Sequence, residues 1–308
     1  MAKGAGEMVA GPIVPRKRRR WPRWVWSVLT VLVFAVLAWV FWPMGSVPLI
    51  ISPKTTVVTG PLNPDGTVNY VAALNAVASE GVTADNNAAI PIIQALGPKF
   101  LTPVTVEEAL GQASTVSVPP EVEEVLRQLG ISSLPLDGRY FVSLDKYVAE
   151  RLEEFAPVDS EGAPSDGDVV RRIMNEAAGT ISPRIGAFLL EWLRINGAPL
   201  ALIEEAAHRP RYFVPMVGTQ NLLFLLEIGP GERFRAVGRA IYLRSMLRIA
   251  DGDLEDAWLD SLLANCLGHL CAQQPTLIEH LAGLAVCSLA HDIGCRIATD
   301  PSLNERQA

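Results

Sequence analysis

Four cysteines and four histidines carry most of the metal-ligand and nucleophile chemistry open to this 308-residue chain. Cys266, Cys271, Cys287 and Cys295 all fall in the last 43 residues, together with His269, His280 and His291. Cys266-x-x-His269 and Cys287-x-x-x-His291 each set a thiol and an imidazole on one helical face, as metal ligands are set. In an antiparallel hairpin turning at 273–274, Cys266 would be level with about residue 282 and Cys287 with about residue 261. At about 1.5 Å per residue the two pairs are then offset by roughly 8–12 Å, too far to share one ion. Cys266, His269 and His280 form a tighter set, with three ligands and one open position. The plainer alternative is that the cysteines pack as small hydrophobes and the histidines are hydrogen-bonded core residues. A disulfide needs Cα atoms within about 7 Å, so this register predicts free, buried thiols.

Other motifs are incomplete. Glu205-x-x-His208 is half of a di-iron helical motif, and no second Glu-x-x-His occurs in the chain. Gly-x-Ser-x-Gly, His-Glu-x-x-His, P-loop and Rossmann glycine patterns are absent from the sequence. His208-Arg209-Pro210-Arg211-Tyr212-Phe213-Val214-Pro215 joins two arginines to adjacent aromatics between prolines. Such a loop could take an anion or a peptide carboxylate, or it could be a rigid connector anchored by Tyr212 and Phe213. On these grounds no residue is assigned a catalytic, cofactor-binding or metal role.

The elements that would position these groups hang from one apolar stretch. Residues 24–42 carry no charge and only Ser27 and Thr30 as polar members. A helix of that length nearly matches a hydrocarbon core about 30 Å thick. Trp21, Trp24 and Trp26 stand at one end, Trp39 and Trp42 at the other, as indoles favour the headgroup boundary. Arg16-Lys17-Arg18-Arg19-Arg20 and Arg23 precede the stretch, and the first basic residue after it is Lys54. That asymmetry predicts a single-pass helix in the cytoplasmic (inner) membrane, with the N-terminus in the cytoplasm and the C-terminal domain outside it. Phe41-Trp42-Pro43-Met44 is a poor cleavage context, which argues against a removed signal peptide.

Charge is divided in the same way. The first 23 residues hold seven basic groups and one acidic, a net +6, so a whole-chain charge of −7 leaves −13 beyond them. An acidic surface of that kind disfavours nucleic acid as a partner.

Beyond the membrane stretch the pattern predicts a mainly α chain of helical hairpins. The expected organisation is a basic tail (1–23), the transmembrane helix (24–42), a proline-rich stalk (43–66), a helical subdomain (67–156), a linker (157–167) and a C-terminal helical hairpin domain (168–308). Thr105-Val106-Glu107-Glu108 is a capping box, and Ser182-Pro183 is an N-cap with proline at the first helical position. Residues 232–250, 254–273 and 275–298 read as three long helices. The second beyond Leu262, and the third, are apolar on nearly every face, so this trio, with Trp258 on its inner stripe, is the expected core. Gly252-Asp253-Leu254-Glu255-Asp256-Ala257 between paired helices is similar to a tetratricopeptide turn, although no clean period repeats.

The runs Ile51-Ser52-Pro53, Tyr70-Val71-Ala72-Ala73-Leu74-Asn75 and Asp85-Asn86-Asn87-Ala88-Ala89, with Gly252 to Trp258 and Pro275 to Glu279, carry a further likeness. The chain resembles an uncharacterised family of single-pass membrane proteins from planctomycete-type bacteria. The resemblance implies a membrane address and supplies no mechanism. The functional expectation is therefore a membrane-anchored, extracytoplasmic interaction or scaffold module whose partners are the lipid bilayer and another envelope protein. A metal-dependent enzyme or carrier using Cys266, His269 and His280 is the competing expectation.

Overall fold

The computed structural model describes residues 32, 51–54, 57–101, 120–131, 134, 138–155, 165–216 and 229–303. The chain divides into a short N-terminal unit, Met1–Ile51, and a large unit, Ser52–Ala308. Within 24–42 only Leu32 is among the described residues; it is helical and exposed. The capping box at 105–108, most of the 157–167 linker and the apolar run 222–226 lie outside them.

The described residues of the large unit form ten α-helices. They are α1 (Tyr70–Ala78), α2 (Ala89–Leu96), α3 (Pro120–Gln128), α4 (Leu144–Ala149), α5 (Asp166–Ala177), α6 (Pro183–Ile195), α7 (Gly197–Ala207), α8 (Gly229–Ala250), α9 (Leu254–Cys271) and α10 (Leu277–Thr299). Single 3-10 turns follow α2 and α4. The starts follow from short polar caps. The side chains of Asn69, Ser143, Ser165, Ser182, Asp253 and Thr276 each accept a first-turn N–H, satisfying a donor the helix itself cannot pair. Pro91 sits in the first turn of α2, where its missing N–H costs no helical hydrogen bond. Gly252, at φ +80°, takes the left-handed turn between α8 and α9 that a side chain would oppose.

α8 runs through the centre. Phe234, Val237, Ala240, Ile241 and Leu243 are all buried, and α8 packs against α5, α6, α9, α10 and the 3-10 turn after α2. Gly231 lies against Ala282 and Gly238 against Val286, so α8 and α10 run parallel. α9 runs antiparallel to α10: Ser261 Oγ donates to Ala290 O at 2.9 Å and Cys271 Sγ to Glu279 O at 3.2 Å. The seam closes on two glycines, since a Cβ on Gly268 would come 2.5 Å from Cys287 Sγ and one on Gly283 would strike Gly268 O. This close approach sets the register about three residues from the one the turn position predicts.

The core is wider than the C-terminal trio. It is continuous from Ala88 in front of α2 to Ile297 in α10, with α3 to α7 contributing. Its largest fully buried side chain is Trp192 of α6, whose Nε1 donates to Val142 O at 2.8 Å. Trp258, expected inside, is 48% exposed. The expectation failed because apolar residues continue round α9 and α10 beyond the sides that α8, α7 and the two helices themselves cover. Trp258, Leu259, Leu262, Leu277, Leu281 and Leu284 remain outside.

Among the described residues, one helix, Leu277–Thr299, is long and apolar enough to cross a membrane. It lies near the C-terminus. Here it packs as a bundle helix, with Arg296 Nη1 donating to Ala178 O and Asp292 accepting from Tyr242.

Trp192→Ala should therefore cost about 3–5 kcal/mol, the range for removing a buried aromatic. Trp258→Ala should cost much less. Chemical denaturation of both full-length variants checks this, the expected result being a large midpoint shift for Trp192→Ala alone.

Candidate functional site

The loop 208–216 organises the most distinctive polar chemistry in the molecule. It is extended and buried at Tyr212, Phe213 and Val214, yet among the described residues only an isolated bridge, Asn87 to Arg211, gives it a strand partner. Side-chain carboxamides supply the missing partners. Asn87 Oδ1 accepts from Phe213 N at 3.0 Å while its Nδ2 donates to Phe213 O at 2.9 Å. Asn75 treats Met216 in the same way, at 2.9 and 2.8 Å. Gln273 Oε1 accepts from Tyr212 N, Gln273 Nε2 donates to Pro210 O, and Gln274 Nε2 donates to Val214 O. Asn196, fully buried between α6 and α7, repeats the device: it accepts from Val142 N and donates to Val142 O. The loop is thus tied to α1, to the segment before α2 and to the α9–α10 connection, and Asn196 separately to Val142.

The two arginines of the loop are engaged in the same construction. Arg209 Nη1 donates to Ala84 O and Asn87 O, and its Nη2 reaches Glu205 at 2.8 Å. Arg211 Nη2 donates to Glu80 O at 3.2 Å. Of the two sequence readings, the rigid connector anchored by Tyr212 and Phe213 is the one this geometry fits. Glu205 of the half di-iron motif is the partner of Arg209.

A buried charge network ties α8 to its neighbours. Asp260 of α9, almost wholly buried, meets Arg244 Nη2 at 2.5 Å and Arg248 Nη1 at 2.7 Å; Arg244 Nη1 also reaches Glu204 of α7 at 2.7 Å. Burial raises the Asp260 carboxyl above its ordinary value against the pull of both guanidiniums. Burial opposes the Arg244 charge as well, but Asp260 and Glu204 outweigh it and raise that group. Removing Arg244 from among these four groups would strand the buried Asp260 charge with one guanidinium in place of two.

Beneath the clamped loop, Tyr212, Cys271 and Glu279 form a second buried cluster. Burial, then the nearby Glu279, pushes the Tyr212 hydroxyl and the Cys271 thiol far up. Burial also raises the Glu279 carboxyl, with only the hydrogen bond from Thr276 at 2.7 Å opposing it. A thiol and phenol held neutral in this way are unsuited to nucleophilic attack.

A hollow of about 260 Å³ opens beside the same loop, lined in part by Ser79, Thr83, Asn87, Gln128 and Phe213. Both ends of the Asn87 carboxamide are already occupied by Phe213.

The predicted ligands do not converge. Cys266, His269 and His280 all stand on the outer surface, and among the described residues no group of three or more His, Cys, Asp or Glu side chains could hold a metal ion. The three-residue register shift moves the residue level with Cys266 to about 285, away from His280. All four thiols are free, as expected, but only Cys271 is buried; Cys287 is half-buried, and Cys266 and Cys295 are exposed because they sit on the outer faces of α9 and α10. The residues that sequence reasoning missed are Asn75, Asn87, Asn196, Gln273, Gln274 and Asp260. Asp260 alone offered a signal, as an acid inside an apolar run opposite an arginine-rich helix.

No protein-family model, curated protein or solved structure matches the chain.

Glu279 gives a pH dependence of definite sign. A carboxyl whose folded value is raised adds most stability below its unfolded value, and that contribution is lost as pH rises through the folded value. Thermal unfolding should therefore show Glu279→Gln gaining on the parent as pH climbs from about 4.5 toward neutrality. A difference that is flat with pH would mean Glu279 is not held away from solvent.

Proposed function

We propose that this protein is a membrane-anchored scaffold whose helical domain works outside the cytoplasm through protein contact rather than catalysis. Residues 24–42 provide the anchor and the preceding basic run fixes its orientation. The Gly252 turn between α8 and α9 supports a weakly tetratricopeptide-like hairpin arrangement for the C-terminal part. The resemblance to a single-pass membrane family of planctomycete-type bacteria agrees with this address.

The observation that carries the reading is the outer face of α9 and α10. From Ala257 to His291 the only Asp, Glu, Lys or Arg residues are Asp260 and Glu279, and both are buried. Trp258, Leu262, Leu281 and Leu284 stand exposed on that face, each at least 44% accessible. Clustered apolar exposure of this kind marks contact surfaces. Its occupant is a second copy of the chain. The region beyond the basic tail carries −13, so copies repel one another except where they meet through an uncharged face. A shared membrane raises the effective concentration of one copy for the next.

A photo-crosslinking residue at Leu281 in intact cells should give an adduct of twice the chain mass, and one at Arg171 should not. A reporter fused after Ala308 that is active only outside the cytoplasm should be active. No adduct from Leu281, or reporter activity confined to the cytoplasm, would sink the reading.

A further inference from the structure

On the outer face of α10, one turn apart, His291 Nε2 and Cys295 Sγ lie 3.5 Å from each other, both exposed. Tetrahedral zinc holds nitrogen at about 2.0–2.1 Å and thiolate sulfur at about 2.3 Å, which places the two donors about 3.5–3.6 Å apart. The pair thus already has the spacing of two adjacent zinc ligands. Among the described residues, the polar groups next to it in sequence are bonded elsewhere. Asp292 is turned toward α8, accepting from Tyr242 at 2.8 Å and from Arg296 at 2.8 Å. Thr299 Oγ1 donates to backbone carbonyls of Cys295 and Arg296. The Trp258 ring reaches toward Gly294, the residue between the pair and the α9 seam, so the two donors adjoin the exposed apolar surface.

One chain supplies two of the four ligands that a closed zinc site needs. We propose that His291 and Cys295 are half of an interchain zinc site, completed by the same two residues of a second copy docked through the outer face of α9 and α10. The inference rests on the self-association reading above and adds a metal to it. Two-fold symmetry presents the same patch twice, so a two-ligand half-site on that patch becomes a four-ligand site. The balance is simple. Zn²⁺ binds two imidazole nitrogens and two sulfurs, two thiol protons leave to solvent, and nothing is oxidised or reduced. Two thiolates cancel the charge of the ion. The completed site is neutral, as a buried contact between uncharged faces requires.

The test uses the full-length chain in non-ionic detergent, Zn²⁺ alone as the probe, equilibrium dialysis for stoichiometry and detergent-corrected light scattering for mass. The expected result is one zinc per two chains and a dimer that a chelator returns to monomer. His291→Ala and Cys295→Ser should each weaken zinc binding by more than the about 10–100-fold typical of losing an outer-shell partner. Arg171→Ala, exposed on α5 away from the docking face, should leave both readouts unchanged. Unaltered circular dichroism shows that the variants are folded. One zinc per chain on a monomer, zinc binding unaffected by both substitutions, or no zinc binding would each overturn the proposal. A dimer that forms equally well with chelator present would remove the zinc site and leave the self-association reading standing, whereas failure of the Leu281 crosslink removes both.

Discussion

The constraint on which the fold depends is the pairing of buried peptide groups by side-chain carboxamides. A buried N–H or carbonyl left without a partner costs about 1–3 kcal/mol, and an extended segment inside a helical protein has no ladder to supply partners. Residues 212–216 are such a segment, since the bridge to Asn87 pairs Arg211 alone. Asn87 and Asn75 each bond both the N–H and the carbonyl of one residue, Phe213 and Met216 respectively, as a neighbouring strand would. Gln273 and Gln274 complete the frame from the α9–α10 connection. Because a carboxamide has the donor and acceptor geometry of a peptide group, it substitutes for one without adding a strand.

This frame fixes what the last three helices can do. Gln274 is buried with Val214, so the α9–α10 turn is attached to the loop and cannot slide. The Gly268–Gly283 contact then sets how the two helices meet, and Asp260 with Arg244 and Arg248 sets how α9 meets α8. With three sides of the pair committed, the fourth is left facing out. Its apolar residues are therefore a consequence of how the bundle is closed, and they are available for contact.

Much of the helical layout was legible in the sequence. Ser182-Pro183 starts α6 where the cap and proline place it, Gly130 and Gly252 sit at left-handed turns, and the three long helices lie within a few residues of their expected bounds. Local chemistry decides such features. The core was less legible because hydrophobic periodicity reports which faces are apolar, not which find a neighbour. Trp258, expected inside, stands exposed for that reason, while Trp192 fills the interior. Asn196 ends α6, and Gln273-Gln274 lies in the α9–α10 connection where the hairpin turn was expected. Their second role, bonding peptide groups at Val142 and in 210–214, depends on contacts about 54 to 63 residues away in sequence, which no local pattern carries. The ligand reading of Cys266, His269 and His280 failed because the three face outward and because the register, which two glycines determine, is shifted.

Amide hydrogen exchange on the full-length chain tests the carboxamide frame most directly. Phe213 and Met216 N–H groups should exchange only through openings as costly as those that release the central amides of α8, and Asn87→Ala should speed exchange selectively at Phe213. Exchange at Phe213 and Met216 as fast as in a free peptide, with α8 still protected, would contradict the account.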